Sequence, residues 1–261
     1  MNELKEVALR AAEAGGRVIR RSFGLPVVGR TKGAGDYVSD VDRQSEEAIR
    51  TELLEESGIS VVAEESGGVP AERYWVVDPL DGTTNFLHGF PIVGVSIALV
   101  EDGEPTTGVV HAPFLDETYV GVRGEGAELL RQGQEPARLV VARRPPDRAV
   151  VGTGFPFRSK ELVPRYLPVF ERCFERFEDL RRPGAAALDL AWVAAGVFDG
   201  FFELDLSSWD VAAGALLVQE AGGRVTNWEG GDTWLETGNI LAGSPGVHEA
   251  LVEIATARGP A

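Results

Sequence analysis

The hydrophobic positions change period along the chain. Near the N-terminus Leu4, Val7, Ala8, Ala11, Ala12, Val18 and Ile19 recur at helical spacing, which predicts an amphipathic helix over residues 1–24. Gly15-Gly16 weakens its middle and allows close helix packing. A short strand or hairpin follows over 27–41, with a Lys32-Gly33-Ala34-Gly35 loop. Asp42 is read as the N-cap of a second helix, with Ile49, Leu53 and Leu54 on its inner face. Ser60–Ala63 is a short strand that delivers Glu64 and Glu65, and Trp75-Val76-Val77 ends a buried strand. Residues 92–100, 107–112 and 118–122 read as strands joined by turns. Pro136 to Asp147 is rich in Pro and Arg and reads as a connection.

Beyond it strands and helices alternate. Strands are predicted at 149–153, 200–204, 224–226 and 240–243, and helices at 162–177, 185–195, 211–221 and 247–256. Leu167, Phe170, Cys173, Phe174 and Phe177 supply the apolar positions of the first of these helices. The chain divides at a soft boundary into an α+β half, 1–147, and an α/β half, 148–261, forming one compact unit.

Composition excludes several classes. With 261 residues the chain is long enough for a substantial core, and no run of 18 apolar residues predicts a membrane-spanning helix. The charged, amphipathic N-terminus lacks the apolar stretch of a secretion signal, and Cys173 is alone. Both point to a reducing, cytoplasmic setting. The net charge of −16 argues against nucleic acid or an anionic membrane as partner. It also argues against an anionic substrate, unless metal ions invert the local charge.

The chemistry concentrates in Trp75 to Pro91, WVVDPLDGTTNFLHGFP. Asp78 and Asp81 sit on one tight turn at a strand end, where their carboxylates converge and repel unless a cation lies between them. Taken alone, the pair divides evenly between a metal site and a structural turn. Gly82-Thr83-Thr84 can open a helix whose N–H groups bind phosphate. Oxygen-only ligands suit Mg²⁺ or Mn²⁺ rather than Zn²⁺. His88, His111 and His248 share no metal-ligand spacing and read as structural.

Asp78 to Phe86, DPLDGTTNF, resembles the first signature of the inositol monophosphatase family of Mg-dependent, Li-sensitive phosphatases. Trp209 to Gly214, WDVAAG, resembles the second, and Ala63-Glu64-Glu65-Ser66 resembles the upstream acidic element. The likeness covers nearly the whole chain. It implies a layered α-β-α-β-α sandwich of the sugar-phosphatase type, a cytoplasmic homodimer, and hydrolysis of a small phosphorylated polyol or sugar by metal-activated water. The resemblance names inositol monophosphate as substrate.

The resemblance also assigns roles. Glu64, Asp78 and the Leu80 carbonyl match the ligands of one ion. Asp78, Asp81 and Asp210 match those of a second, and a third, weaker ion is expected near Glu64. Thr83, partnered by Asp42, orients the attacking water, while Gly82, Thr83 and Thr84 cradle the phosphate. Gly184, Ala185 and Ala186 form the small-residue wall of the substrate pocket, and Glu203 and Asp210 face the substrate hydroxyls. Lys32 fits a loop closing over the metals, against the alternative of a solvated surface charge. Arg181 and Arg182 flank the pocket wall, where a basic residue grips a second phosphate. That keeps fructose 1,6-bisphosphate open as a rival substrate. A regulatory binding protein on a phosphatase scaffold is the reading from a different class. An aspartyl-phosphate mechanism needs D-x-D-G-T, one residue shorter than the spacing here, and is rejected.

Overall fold

The structure is a computed structural model that describes residues 2–25, 30–33 and 36–257, with backbone alone for 2, 30–33 and 36–38. In chain order the elements begin with α1 (Asn2–Ser22), β1 (Arg30–Gly33), β2 (Asp36–Val38), α2 (Asp40–Ser57), β3 (Val61–Ala63), β4 (Arg73–Asp81) and α3 (Thr83–Leu87). A meander follows: β5 (Gly94–Glu101), β6 (Glu104–Ala112), β7 (Glu117–Val122), β8 (Gly126–Arg131) and β9 (Ala137–Arg138). The remainder is β10 (Val150–Thr153), α4 (Val163–Arg176), β11 (Asp179–Arg181), α5 (Ala186–Ala194), β12 (Gly200–Glu203), α6 (Ser208–Glu220), β13 (Arg224–Thr226), α7 (Trp234–Thr237), β14 (Ile240–Gly243) and α8 (Pro245–Thr256).

Two sheets carry the fold. β3 to β9 lie in sequence order in a seven-stranded sheet, antiparallel apart from the β3–β4 pair. The second sheet has the order β11-β10-β12-β14-β13, parallel over its first three strands. Alternation along the strands decides which layer each side chain joins. Trp75, Val77, Ile97, Leu99 and Val109 pack with Val7, Ala11, Ile19 and Ile49 from α1 and α2. Val76, Ala98, Val100 and Val110 face the opposite way, onto α5 and α6. Those two helices also meet Phe201 and Ala242 of the second sheet. Phe202 and Leu241 point outward onto Tyr166, Val169 and Cys173 of α4 and Leu251 of α8. The result is an α-β-α-β-α sandwich, and each fully buried Val, Leu, Ile or Phe adds about 1.5–3 kcal/mol relative to exposure.

Four local expectations need correction. Leu54 is not on the inner face of α2: it is exposed, and Val41, Ile49 and Leu53 form the apolar inner stripe. Asp42 does not cap α2. Ser39 does, its hydroxyl accepting the Val41 N–H at 3.2 Å, while Asp42 at the third helical position accepts the Ser39 N–H at 2.8 Å. On α4, Leu167 and Phe174 are 53% and 73% exposed, because Tyr166, Val169 and Cys173 form the inner stripe. The segment taken as a connection includes β9, which pairs with β8 and lengthens the first sheet.

Candidate active site

Helix starts and strand ends converge between the two sheets. β4 ends in Asp78-Pro79-Leu80-Asp81, and its pairing with β5 shifts register between Asp78 and Asp81. That irregularity turns successive side chains into one site. Asp78 Oδ1 accepts the Leu80 N–H at 2.9 Å, tightening the turn. Gly82 follows at φ 90, a left-handed conformation favoured by glycine, and opens α3. α6 begins with Ser207, whose N–H donates to Asp210 Oδ2 at 2.7 Å in a second capping box. Ser96 on β5 donates its hydroxyl to the Trp209 carbonyl at 2.8 Å, fixing that first turn against the neighbouring sheet.

Carboxylate oxygens of Asp78, Asp81 and Asp210 lie within 4.8 Å of one another, and all three residues are buried. Burial, then Glu64, Asp81 and Asp210, push the Asp78 carboxyl well above its ordinary range. Burial and Asp210 push Asp81 up to about 7, against the opposing N–H groups of Ala187 and Ala186. Acids so placed are stable as anions only with compensating positive charge. The donor set is entirely oxygen and fits a hard divalent cation of the Mg²⁺ type.

Thr83 links this cluster to α2. Its hydroxyl lies 2.9 Å from Asp42 Oδ1 and 3.2 Å from the Leu80 carbonyl. Asp42 is fully buried, and burial raises its pKa against the hydrogen bonds from Ser39 and Thr83.

The pocket beside the acids is lined by Glu64, Leu80, Thr84, Gly184, Ala185, Ala186, Glu203 and Arg182 along with the acids and Gly82-Thr83. Asn85 donates to the Pro183 carbonyl at 2.9 Å and to that of Ile92 at 2.8 Å, tying the 183–184 wall to α3. Burial, then Asp210, raise Glu203 to about 8, with Arg182 opposing. Gly154 packs against Glu203, and a Cβ there would lie 1.9 Å from its Oε1. The Arg182 guanidinium lies 5.5 Å from the Phe157 ring centroid and 5.9 Å from that of Phe155.

Arg181 is not at the pocket. It pairs with Asp179 at 2.5 Å and donates to the Leu180 carbonyl. Lys32 lies on β1, and its side chain falls outside the described residues. Sequence reasoning missed Arg158, Ser159 and Asp205, which also line the pocket. It missed Asp189, buried on α5 with Oδ1 lacking a hydrogen-bond partner among the described residues. An acid inside an otherwise apolar helical run was the signal for Asp189.

A five-layer sandwich with its acids gathered between the sheets defines the sugar-phosphatase class of folds. Matched against sequence families, residues 1–258 fit the inositol monophosphatase family, and the chain belongs to it. It is 41% identical over 261 residues to the Nus factor SuhB of Salmonella typhimurium, covering 97% of this chain and 95% of that one. The crystal structure of extragenic suppressor protein suhB from Bartonella henselae superposes with a TM-score of 0.90 at 38% identity, over 97% of this chain and 98% of that one. Inositol monophosphatase from Anabaena gives 0.84 at 33%, over 96% and 94%.

Proposed function

We propose that the protein hydrolyses phosphate monoesters in a Mg²⁺-dependent reaction, with myo-inositol monophosphate as its substrate. The observation that carries this reading is the buried Asp78, Asp81 and Asp210 cluster, whose mutual repulsion calls for cations. Glu64, Asp78 and the Leu80 carbonyl would hold one ion, and Asp78, Asp81 and Asp210 another. Bound Mg²⁺, or Mn²⁺ in its place, neutralises phosphate charge and lowers the pKa of water.

The chain's own groups do the rest. The Thr83 hydroxyl, held by Asp42, orients water toward phosphorus. The N–H groups of Gly82, Thr83 and Thr84 hold the phosphate oxygens at the start of α3. Glu203 and Asp210 accept hydrogen bonds from ring hydroxyls, and Gly184, Ala185 and Ala186 leave room for the ring. Residues 1–147 and 148–261 act as two halves of one catalytic unit. The exposed Leu167 and Phe174 on α4 support a homodimer, which light scattering tests. Inhibition by lithium belongs to the same reading.

Arg182 favours a second substrate class, sugar bisphosphates, because it puts a cation on the pocket wall beside Glu203. The Nus factor name of relatives favours a second role as a binding partner in transcription. One experiment separates these: phosphate release from inositol 1-phosphate and fructose 1,6-bisphosphate, with and without Mg²⁺. Preference for the first supports the inositol reading, and comparable rates support a dual sugar phosphatase. No release from either ester overturns the enzymatic reading in favour of the binding protein.

A further inference from the structure

One face of α2 touches both segments that carry the proposed metal ligands. Asp42, Ser45 and Glu46 stand at i, i+3 and i+4, so they share that face. All three are buried, an unusual place for a helix's polar residues. Asp42 accepts the Thr83 hydroxyl, as described above. Ser45, completely buried, donates its hydroxyl to the Pro79 carbonyl at 2.8 Å. Glu46 is 4% exposed, and its carboxylate accepts the N–H groups of Glu65 at 2.9 Å and Ser66 at 3.1 Å.

Those two amides immediately follow Glu64, whose own N–H donates to the Val77 carbonyl at 3.1 Å. Three successive N–H groups are therefore held, one by β4 and two by a single side chain on α2. The Ala63–Gly67 turn closes with a reciprocal pair of backbone hydrogen bonds at 3.0 and 2.9 Å. Pairing of β3 with β4 aligns the start of this turn with Val77, and the pairing stops three residues short of Leu80. Beyond that point the contacts that reach both turns come from α2, which is capped by the Ser39 capping box and ends at Gly58 with φ 66.

We propose that Ser45 and Glu46 are positioning residues that hold the Glu64 turn and the Pro79–Leu80 turn at a fixed separation, so that the Glu64 carboxylate and the Leu80 carbonyl can share one cation. The proposal rests on the metal reading above. It adds that α2, which supplies no ligand itself, braces the span of the ion site where the β3–β4 pairing ends. A carboxylate is the right acceptor at position 46, because it takes two convergent N–H donors at once with charge-assisted strength.

The test compares Glu46→Ala, Glu46→Gln and Ser45→Ala with the full-length protein. Two readouts need no turnover. Amide hydrogen exchange in metal-free protein is expected to rise at least about tenfold at Glu65 and Ser66 in Glu46→Ala, with amides of α5 and β12 unchanged. Mn²⁺ affinity, measured calorimetrically, is expected to fall about 10- to 100-fold, the usual effect of removing a group that orients a ligand. Glu46→Gln keeps one carbonyl acceptor and is expected to fall between Ala and wild type, which separates positioning from general destabilisation. Ser45→Ala is expected to weaken Mn²⁺ without raising exchange at 65 and 66. Unchanged exchange and Mn²⁺ affinity in folded Glu46→Gln and Ser45→Ala overturn the proposal, as does a wild-type protein that binds no Mn²⁺. Wild type that binds Mn²⁺ but releases no phosphate would refute the phosphatase reading alone, since the exchange and affinity comparison still decides the role of α2.

Discussion

Asp81, the last residue of β4, accepts the N–H of Ala187 in the first turn of α5 at 2.8 Å, across 106 positions of sequence. One carboxylate thus joins the acid cluster to the helix behind the pocket wall. The helix N-terminus favours its anion, while burial, first of all, and Asp210 disfavour it.

Asp81→Asn is expected to cut kcat/KM for inositol 1-phosphate by about 10²-fold or more, since a metal ligand contributes several kcal/mol of charge stabilisation and each 1.36 kcal/mol is tenfold. The amide oxygen can still accept the Ala187 N–H, so the metal-free fold should be no less stable than wild type. Phosphate release and thermal unfolding in EDTA check both halves. Undiminished turnover would remove Asp81 from the metal site.

Stability without metal should fall as pH rises above 6.5. Burial, first of all, and Asp210 raise Glu203 in the folded state to about 8 from 4.5, and Asp81 to about 7 from 3.8. A raised carboxyl binds its proton more tightly when folded, so its contribution is complete below the unfolded pKa and is lost as pH rises through the folded one. His111 and His248 are lowered to about 4 from 6.5, chiefly by burial, and act in the opposite direction only below 6.5. Unfolding in EDTA between pH 6.5 and 8.5 should therefore lose roughly 1–2 kcal/mol, allowing for solvent in the pocket. Mg²⁺ should restore more stability at pH 8.5 than at 6.5. A flat profile in EDTA would contradict the burial of these acids.

Arg182→Ala tests substrate class. A charge-assisted contact to a second phosphate contributes about 1.5–3 kcal/mol. KM for fructose 1,6-bisphosphate should then rise about 10- to 100-fold, while inositol 1-phosphate changes little. Equal effects on both substrates would show that Arg182 shapes the pocket through its Phe155 and Phe157 contacts instead.

At Gly16, α1 approaches the first sheet closely. A Cβ there would lie 2.5 Å from the ring of His111, which is buried and lies 2.8 Å from the Thr118 hydroxyl through Nδ1. Gly16→Ala should destabilise the protein by about 1–3 kcal/mol through overpacking, although alanine is the better helix former. Gly246 on α8 meets nothing within 4 Å, and Gly246→Ala should be neutral or stabilising by up to about 1 kcal/mol. Denaturant midpoints of the two variants should move apart.

Much of this site is legible in the chain because its parts are local. Asp78 and Asp81 share one turn, and Gly82 follows where a left-handed residue is needed. Arg181 and Arg182 are adjacent, yet only Arg182 lines the pocket: Arg181 ends β11 and is held by Asp179, while Arg182 follows the strand and lies against Phe155 and Phe157. Leu167 and Phe174 fit a helical stripe as well as Val169 does, and only the packed neighbours of α4 show which stripe is inner. Glu46 looks like one more surface acid on an acidic helix until the Glu65 and Ser66 amides are found against it.

The sequence by itself determined the periodic elements, the acid-rich turn after β4 and the cysteine-poor, acidic character of the chain, because each depends on residues within a few positions of one another. Tertiary structure decided which acids meet. Asp210 joins Asp78 and Asp81 only because α6 is clamped between two sheets with its first turn held by Ser96. Glu64 lines the same pocket, and its turn is hydrogen-bonded to Glu46 on α2. Separations of that kind are set by packed layers about 10 Å thick, and no local pattern along the chain encodes them.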